Sequence, residues 1–431
     1  MSRDFALTRR RFVQTTATAA IAGPTIVTRT LRGAARAAAN ERLTLGIIGV
    51  GTMGRGHVNR FAGQGDVQIV AVCDVVAERR DDARRMVEEK YAKASGQAEY
   101  QGCKTYNDFR ELLAREDLDA VVIATPDHWH AIPCVLAAQA KKDIYCEKPL
   151  THTIAEGRKI SAAVRANKVV FQTGSQQRSE FGGKFRQAVE LVRNGRIGQV
   201  KTVRVGVGGP PVACDLPEQM APEGTDWNLW LGPAPQRACN DVLCPKGIHK
   251  HFPAWRQYKE YGGGAVADMG AHHFDIAQWA LDMDGSGPVL IEPPPRNETT
   301  GLKFTYANGV VMYHGGPSGC TFEGTEGTIY VDRSKLESTP TSIVEKPIGD
   351  NDQRVYFSDN HARNWLDCIK SRKDTISTAE IGSRSAAVCH LANIGYELRR
   401  ELKWDPEKER FTGDDEANKL LERTKREPWK L

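Results

Sequence analysis

The chain has 431 residues, of which 40% are apolar and 26% charged, and a formal net charge of +5. That length and apolar content suffice for two domains with separate cores, and the absence of biased tracts or a fixed period excludes a low-complexity or repeat protein. Ten cysteines over this length are too sparse for a disulfide scaffold.

At the N-terminus, Thr8-Arg9-Arg10-Arg11-Phe12-Val13-Gln14 precedes a modestly apolar run from Thr15 to Thr28 and small residues from Ala35 to Ala39. A charged region, a short apolar region and a small-residue cleavage site, in that order, make a twin-arginine export signal. The run is too short, and too interrupted by Pro24 and Arg29, to span a bilayer. Cleavage after Ala39 removes seven arginines and one aspartate, leaving a net charge of about −1. The basicity therefore belongs to the signal, nucleic acid is not an expected partner, and the mature chain is expected in the periplasm or outside the cell.

The mature chain opens with an apolar strand, Leu43 to Ile48, followed by Gly49-Val50-Gly51-Thr52-Met53-Gly54 at the start of a helix through Phe61. A second strand, Val67 to Cys73, ends in Asp74. This arrangement binds a dinucleotide: Gly49 makes the tight turn, Gly51 admits a pyrophosphate to the backbone, and Gly54 lets helix and strand pack closely. A carboxylate at Asp74 suits the ribose hydroxyls and opposes a 2′-phosphate, which favours NAD over NADP. Arg79 and Arg80 lie close enough in sequence to blur that preference.

The strand–helix alternation continues. Asp119 to Thr125 reads as a buried parallel strand ending in Pro126-Asp127-His128-Trp129-His130, and after the helix Ala131 to Lys141 the strand Asp143 to Cys146 stops at Glu147-Lys148-Pro149. Doubly wound sheets bind ligands beyond the carboxyl ends of their strands, so Thr125, Pro126, Trp129, His130, Glu147 and Lys148 should border one crevice. His128 reads as a solvated loop residue, whereas for His130 a crevice role and a structural role both stay open. Cys73, Cys134 and Cys146 read as small buried hydrophobes. Cys214, Cys239 and Cys244 share a loop-rich region in which pairing is undecided.

Further on, Gly262-Gly263-Gly264-Ala265-Val266-Ala267-Asp268-Met269-Gly270-Ala271-His272-His273-Phe274-Asp275 places two acids and two histidines within eight residues. A spacing of four puts Asp268 and His272 on one helical face, and Asp275 should lie beside His272. A carboxylate against an imidazole fixes its tautomer and raises its basicity, as a proton acceptor for an alcohol requires. Chelation is the weaker reading, because the adjacent His272 and His273 point about 100° apart on a helix, although His249 and His251 could supplement them. No metal is expected.

These motifs, in this order, resemble the glucose-fructose oxidoreductase, inositol dehydrogenase and rhizopine-catabolism family (Gfo/Idh/MocA). Asp226-Trp227-Asn228-Leu229-Trp230-Leu231-Gly232-Pro233 is similar to its exported bacterial branch. The resemblance implies an α/β enzyme: a Rossmann doubly wound parallel sheet over 40–174, then a C-terminal α/β domain over 175–360 with a large, mostly antiparallel open sheet that supports a homo-oligomer, dimer or tetramer. Helices and a tail over 361–431 pack back on the body. It further implies that Lys148 touches the substrate hydroxyl, that His272 is the acid/base, that Gln176 lies near the nicotinamide and that Arg178 lies near the substrate. Family members mostly act on sugars and cyclic polyols.

Combining both lines, His272 is the expected general base, Lys148 polarises the C–O(H) group and can hold or relay the proton, and Asp268 and Asp275 position the two. The cofactor residues are expected to be Gly49, Gly51, Thr52, Met53, Gly54, Asp74, Thr125, Pro126, His130, Glu147, Lys148 and Gln176. Substrate contacts are expected from Lys148, Arg178, Trp227, Asp268, His272 and His273, with His251 and Arg256 as further candidates. Trp227, Trp230 and Trp255, in a long loop from Pro210 to Arg256, could stack on a sugar or serve a core. The tail after Asp405 reads as a solvated wrap.

An exported enzyme has no pool of free dinucleotide to recycle its cofactor. The expected activity is therefore oxidation of a secondary hydroxyl with a tightly held NAD(P). The alternative is a redox-neutral NAD-dependent cleavage of a glycoside by transient oxidation, elimination and re-reduction.

Overall fold

A computed structural model describes residues 41–431; the expected export signal and its cleavage site lie outside the described residues. Six short apolar runs form the first sheet: β1 (Leu43–Ile48), β2 (Val67–Cys73), β3 (Lys104–Tyr106), β4 (Ala120–Ile123), β5 (Asp143–Cys146) and β6 (Phe171–Thr173). They are parallel throughout and ordered β3-β2-β1-β4-β5-β6. Every residue of β4, β5 and β6 is buried, as expected of parallel strands covered by helices on both faces. The strand order reverses between β1 and β4, and the crevice at that switch point lies at the ends of β1, β4 and β5.

The second sheet is eight-stranded. It comprises β7 (Val200–Gly206), β8 (Leu290–Glu292), β9 (Lys303–Thr305), β10 (Val311–Gly324), β11 (Thr328–Val331), β12 (Leu336–Thr339), β13 (Leu402–Asp405) and β14 (Arg410–Phe411). Strand β10 is 14 residues long. It folds around β7, so that His314 and Cys320 both sit opposite Val205. The reversal falls at Gly315 and Gly316, whose φ values of 139° and 101° exclude most side chains. One face of this sheet packs on the helices Lys184–Arg193, Gly270–Ala280 and Ala379–Leu398 in a single hydrophobic cluster.

Two sequence expectations give way here. His128 is fully buried rather than solvated, with Nε2 3.0 Å from the Trp230 carbonyl. The C-terminal tail is not a solvated wrap. Arg423 donates to the His128 carbonyl at 2.7 Å and pairs with buried Glu156 at 3.0 Å, while Trp429 packs edge-on against Trp129 with ring centroids 4.7 Å apart. An isolated tryptophan near a charged terminus gives no periodic signal, so only the fold reveals its pocket. The tail thus braces the loop after β4, which carries site residues. Trp429→Ala should lower the unfolding free energy by about 3 kcal/mol, measured by urea denaturation; an unchanged midpoint and slope would show that the tail merely rests on the surface.

Candidate active site

The turn after β1 is built for close approach. Gly49 has φ +82°, and a Cβ there would lie 2.8 Å from the Ala124 backbone; a Cβ on Gly54 would meet the Gly49 carbonyl oxygen at 1.9 Å. Gly51 instead faces open space. The cleft beyond it is bordered by Gly49, Thr52, Met53, Asp74, Thr125 and Pro126. Asp74 accepts from the backbone N–H of Val50 and of Val76, both at 2.9 Å, which fixes its carboxylate at the end of β2. The bare Gly51 backbone at a helix N-terminus and the fixed acid fit a dinucleotide.

A loop from the second half of the chain roofs this cleft. Thr52 Oγ1 donates to the His251 carbonyl at 2.8 Å, and Arg79 bonds the carbonyls of Gly247 (3.0 Å) and Pro245. His249, Phe252, Trp255 and Arg256 line the cleft from above. His249 and His251 therefore serve the roof, their rings 4.5 Å apart.

A second cleft continues from the first through Met53, Thr125, Phe252, Trp255 and Arg256. Lys148, following β5, and Asp268 and His272, from consecutive helices (Gly264–Asp268 and Gly270–Ala280), all border it. Lys148 Nζ donates to Asp268 Oδ1 at 2.5 Å and to the Asp268 carbonyl at 2.8 Å. Arg256 Nε lies 3.5 Å from the same Oδ1. Burial alone would raise the Asp268 pKa, but Lys148 and Arg256 outweigh it and hold the carboxyl below its usual range.

His272 is 5% exposed, and neither ring nitrogen has a hydrogen-bond partner among the described residues; its Nδ1 is completely enclosed. Burial, reinforced by the charges of Lys148 and Arg333, drives its pKa far below 6.5. It is therefore a neutral imidazole at neutral pH, and without the expected carboxylate beside it the ring does not gain the raised basicity that the spacing suggested. Thr125 Oγ1, where the two clefts join, is likewise buried and unpartnered. Buried polar atoms are normally satisfied, so two such orphans facing one cleft mark where a ligand's polar groups belong.

Other expected positions are placed differently. The helical spacing does not produce a carboxylate–imidazole pair, because Asp268 turns to the ammonium of Lys148, a stronger partner than a neutral buried ring. Asp275 does not touch the His272 ring. It holds Arg178 in a bidentate pair at 2.8 Å and accepts from Ser385 at 2.7 Å. Arg178, 1% exposed, also bonds Asp284 and lies over Trp279, so it braces the core rather than facing the substrate cleft. Burial works against its charge, but Asp275 and Asp284 outweigh that and raise its pKa. His273 Nδ1 donates to the Gly206 carbonyl at 3.2 Å, and the ring borders neither cleft. Since a carbonyl can only accept, that nitrogen carries the proton. Trp227 stacks on Trp230 at 4.6 Å and donates to the Arg237 carbonyl, also away from both clefts. His130 places its ring nitrogens 2.8 Å from the Pro149 carbonyl and 3.0 Å from the Thr125 carbonyl, tying the ends of β4 and β5 together without reaching a ligand. Cys214, Cys239 and Cys244 are free thiols.

Glu147 and Gln176 form a supporting layer. Gln176 Nε2 donates to Glu147 Oε1 at 2.9 Å and Tyr145 Oη at 3.0 Å, and His57 Nε2 lies 2.7 Å from the same Glu147 oxygen. Burial would raise the Glu147 pKa, yet the His57 contact lowers it overall. Sequence reasoning missed His57, Asp127, Glu180 and Arg333, which border or support this cleft. His57 sits one turn beyond Met53 on the helix that opens at the glycine turn, a spacing that could have revealed it. Arg333, in the hairpin between β11 and β12, left no local signal.

The fold and clefts define a dinucleotide-dependent oxidoreductase. Residues 43–175 match the family described as "Oxidoreductase family, NAD-binding Rossmann fold", and residues 212–431 match "Oxidoreductase family, C-terminal alpha/beta domain" of the same group. The chain belongs to the Gfo/Idh/MocA family and is an enzyme of that oxidoreductase type. It is similar to the uncharacterized oxidoreductase YrbE of Bacillus subtilis (24% identical, over 82% of this chain and 94% of that one). It is also similar to the myo-inositol 2-dehydrogenase of Thermotoga maritima (22%, over 84% and 96%). A solved levoglucosan dehydrogenase, in complex with NADH and levoglucosan, shares the fold at 18% identity with a TM-score of 0.57, covering 84% of this chain and 99% of its own.

Buried histidines make the fold acid-sensitive. Burial pushes the pKa of His128 down to about 3 and those of His273 and His361 down to about 4. Once unfolded, each binds a proton below about 6.5. Their stabilising contribution is thus complete above that pH and is lost as pH falls toward 4 and below. The melting temperature, followed by circular dichroism, should drop steeply from pH 6.5 to pH 4; a flat profile there would contradict the buried neutral state.

Proposed function

We propose that this enzyme oxidises a secondary hydroxyl of a sugar or cyclic polyol with a tightly held NAD, after export by the twin-arginine route. The observation that carries this reading is the neutral, unpartnered imidazole of His272 beside the Lys148 ammonium, in a cleft continuous with the dinucleotide cleft. Bound dinucleotide supplies the hydride acceptor. His272 takes the hydroxyl proton, Lys148 donates to the substrate oxygen and polarises it, and Asp268 anchors Lys148 in place. Gln176 and Glu147 shape the wall next to the cofactor.

NAD is favoured over NADP by local chemistry. A 2′-phosphate would face the Asp74 carboxylate, while both nearby arginines are engaged: Arg79 with the roof carbonyls, Arg80 with the Asp74 carbonyl and Asn107. Retention is favoured by the roof, which must lift for a dinucleotide to leave. Assembly as a dimer or tetramer is favoured by the face of the second sheet opposite the helices that pack on it, where Arg204 of β7 is exposed. Relatives that align along most of the chain carry oxidoreductase and dehydrogenase names, which supports net oxidation over redox-neutral glycoside cleavage.

The purified protein, denatured by heat, should release near-stoichiometric nicotinamide dinucleotide. Assayed by reduced-cofactor absorbance on myo-inositol, glucose and levoglucosan, His272→Ala should reduce turnover about 100-fold or more. Near-normal turnover in that variant would refute the assigned role.

A further inference from the structure

Asp127 follows Pro126 at the end of β4 and is 4% exposed. It borders the second cleft together with Lys148, Asp268 and His272. No ion pair or hydrogen bond joins its carboxyl to another described residue, although charged groups surround it. Lys148 and Glu147 face it from the end of β5, Arg256 from the roof, Asp268 and His272 from the helices beyond, and Arg423 of the tail holds the neighbouring His128 carbonyl. An ionised carboxylate so placed would pair with Lys148 or Arg256; instead Asp268 takes both cations.

We propose that Asp127 is a further catalytic residue of the alcohol-oxidising site: a neutral carboxylic acid that donates a hydrogen bond to the same substrate oxygen that Lys148 polarises. The inference rests on the reading given above. Negative charge develops on that oxygen as its proton passes to His272, and persists until the carbinol carbon gives up its hydride, which a bound dinucleotide would accept. Asp127 keeps its own proton throughout and stabilises the developing charge as a preorganised donor at the cleft wall. Burial supports this protonation state, pushing the Asp127 pKa up to about 8 against the opposing pull of Lys148 and Arg256.

Asparagine imitates the neutral acid in shape and as a donor but cannot ionise. On myo-inositol, glucose and levoglucosan, kcat/KM of the wild-type holoenzyme should fall as pH rises through about 8, and Asp127→Asn should lack that fall while retaining more of kcat at pH 7 than Asp127→Ala. Asp127→Ala should lose about 100-fold or more in kcat at every pH. Stability gives a reading that needs no substrate. A carboxyl whose folded pKa is raised above its unfolded value destabilises the fold increasingly between those two pH values. The melting temperature of Asp127→Asn should therefore exceed that of wild type by a margin that grows from pH 4 to pH 8 and then levels. A constant margin, or an alkaline fall retained in Asp127→Asn, overturns the inference. If His272→Ala is inactive in that case, the oxidoreductase reading still stands; if His272→Ala is fully active, that reading fails on its own account.

Discussion

The site is organised around one ammonium group. Lys148 leaves the end of a strand in the first sheet, and both of its bonds run to Asp268, on a helix that belongs to the second. An ion pair this close holds both partners in one geometry, and Arg256 adds a second cation to the same carboxylate. The two halves of the chain are thereby tied at the point where substrate and cofactor clefts meet. Taking a charged amine out of water is costly unless it is matched, and Asp268 supplies the match with its side chain and its carbonyl together.

That pairing determines the charge states of its neighbours. With Asp268 committed to Lys148 and Arg256, no carboxylate remains for His272, and the buried ring stays neutral under the field of nearby cations. Asp275, which the spacing placed beside His272, is drawn to Arg178 in the core. Lys148, Arg256 and Asp268 in the cleft are thus paired with one another, while His272 is neutral and unpaired. A low-dielectric pocket tolerates this combination, and it leaves the unpaired groups free to meet a substrate.

Cover is as important as charge. The roof over the dinucleotide cleft is fastened to the glycine turn through Thr52 and to the following helix through Arg79. The tail fastens the loop after β4 from the opposite side through Arg423 and Trp429. Each clamp comes from a segment distant in sequence; Thr52, Arg79 and Arg423 anchor on backbone carbonyls, and Trp429 packs against Trp129.

The parts set by local rules were legible in the sequence. The glycine turn, the acid closing β2 and the strands β1, β2, β4 and β5 are each set by short local stretches, where periodicity and turn chemistry act directly, whereas the three-residue β3 left no such signal. The meeting of Lys148 with His272 was legible only through the family resemblance, since 124 positions separate them. What tertiary structure alone decided was partnership. Arg178 became a core brace, Trp227 a stacking partner, His128 a buried residue and Trp429 an anchor, because a long side chain pairs with whatever charge or pocket the fold brings within reach. Sequence spacing carries no information about contacts made across two sheets; the closing of one half of the chain over the other creates them.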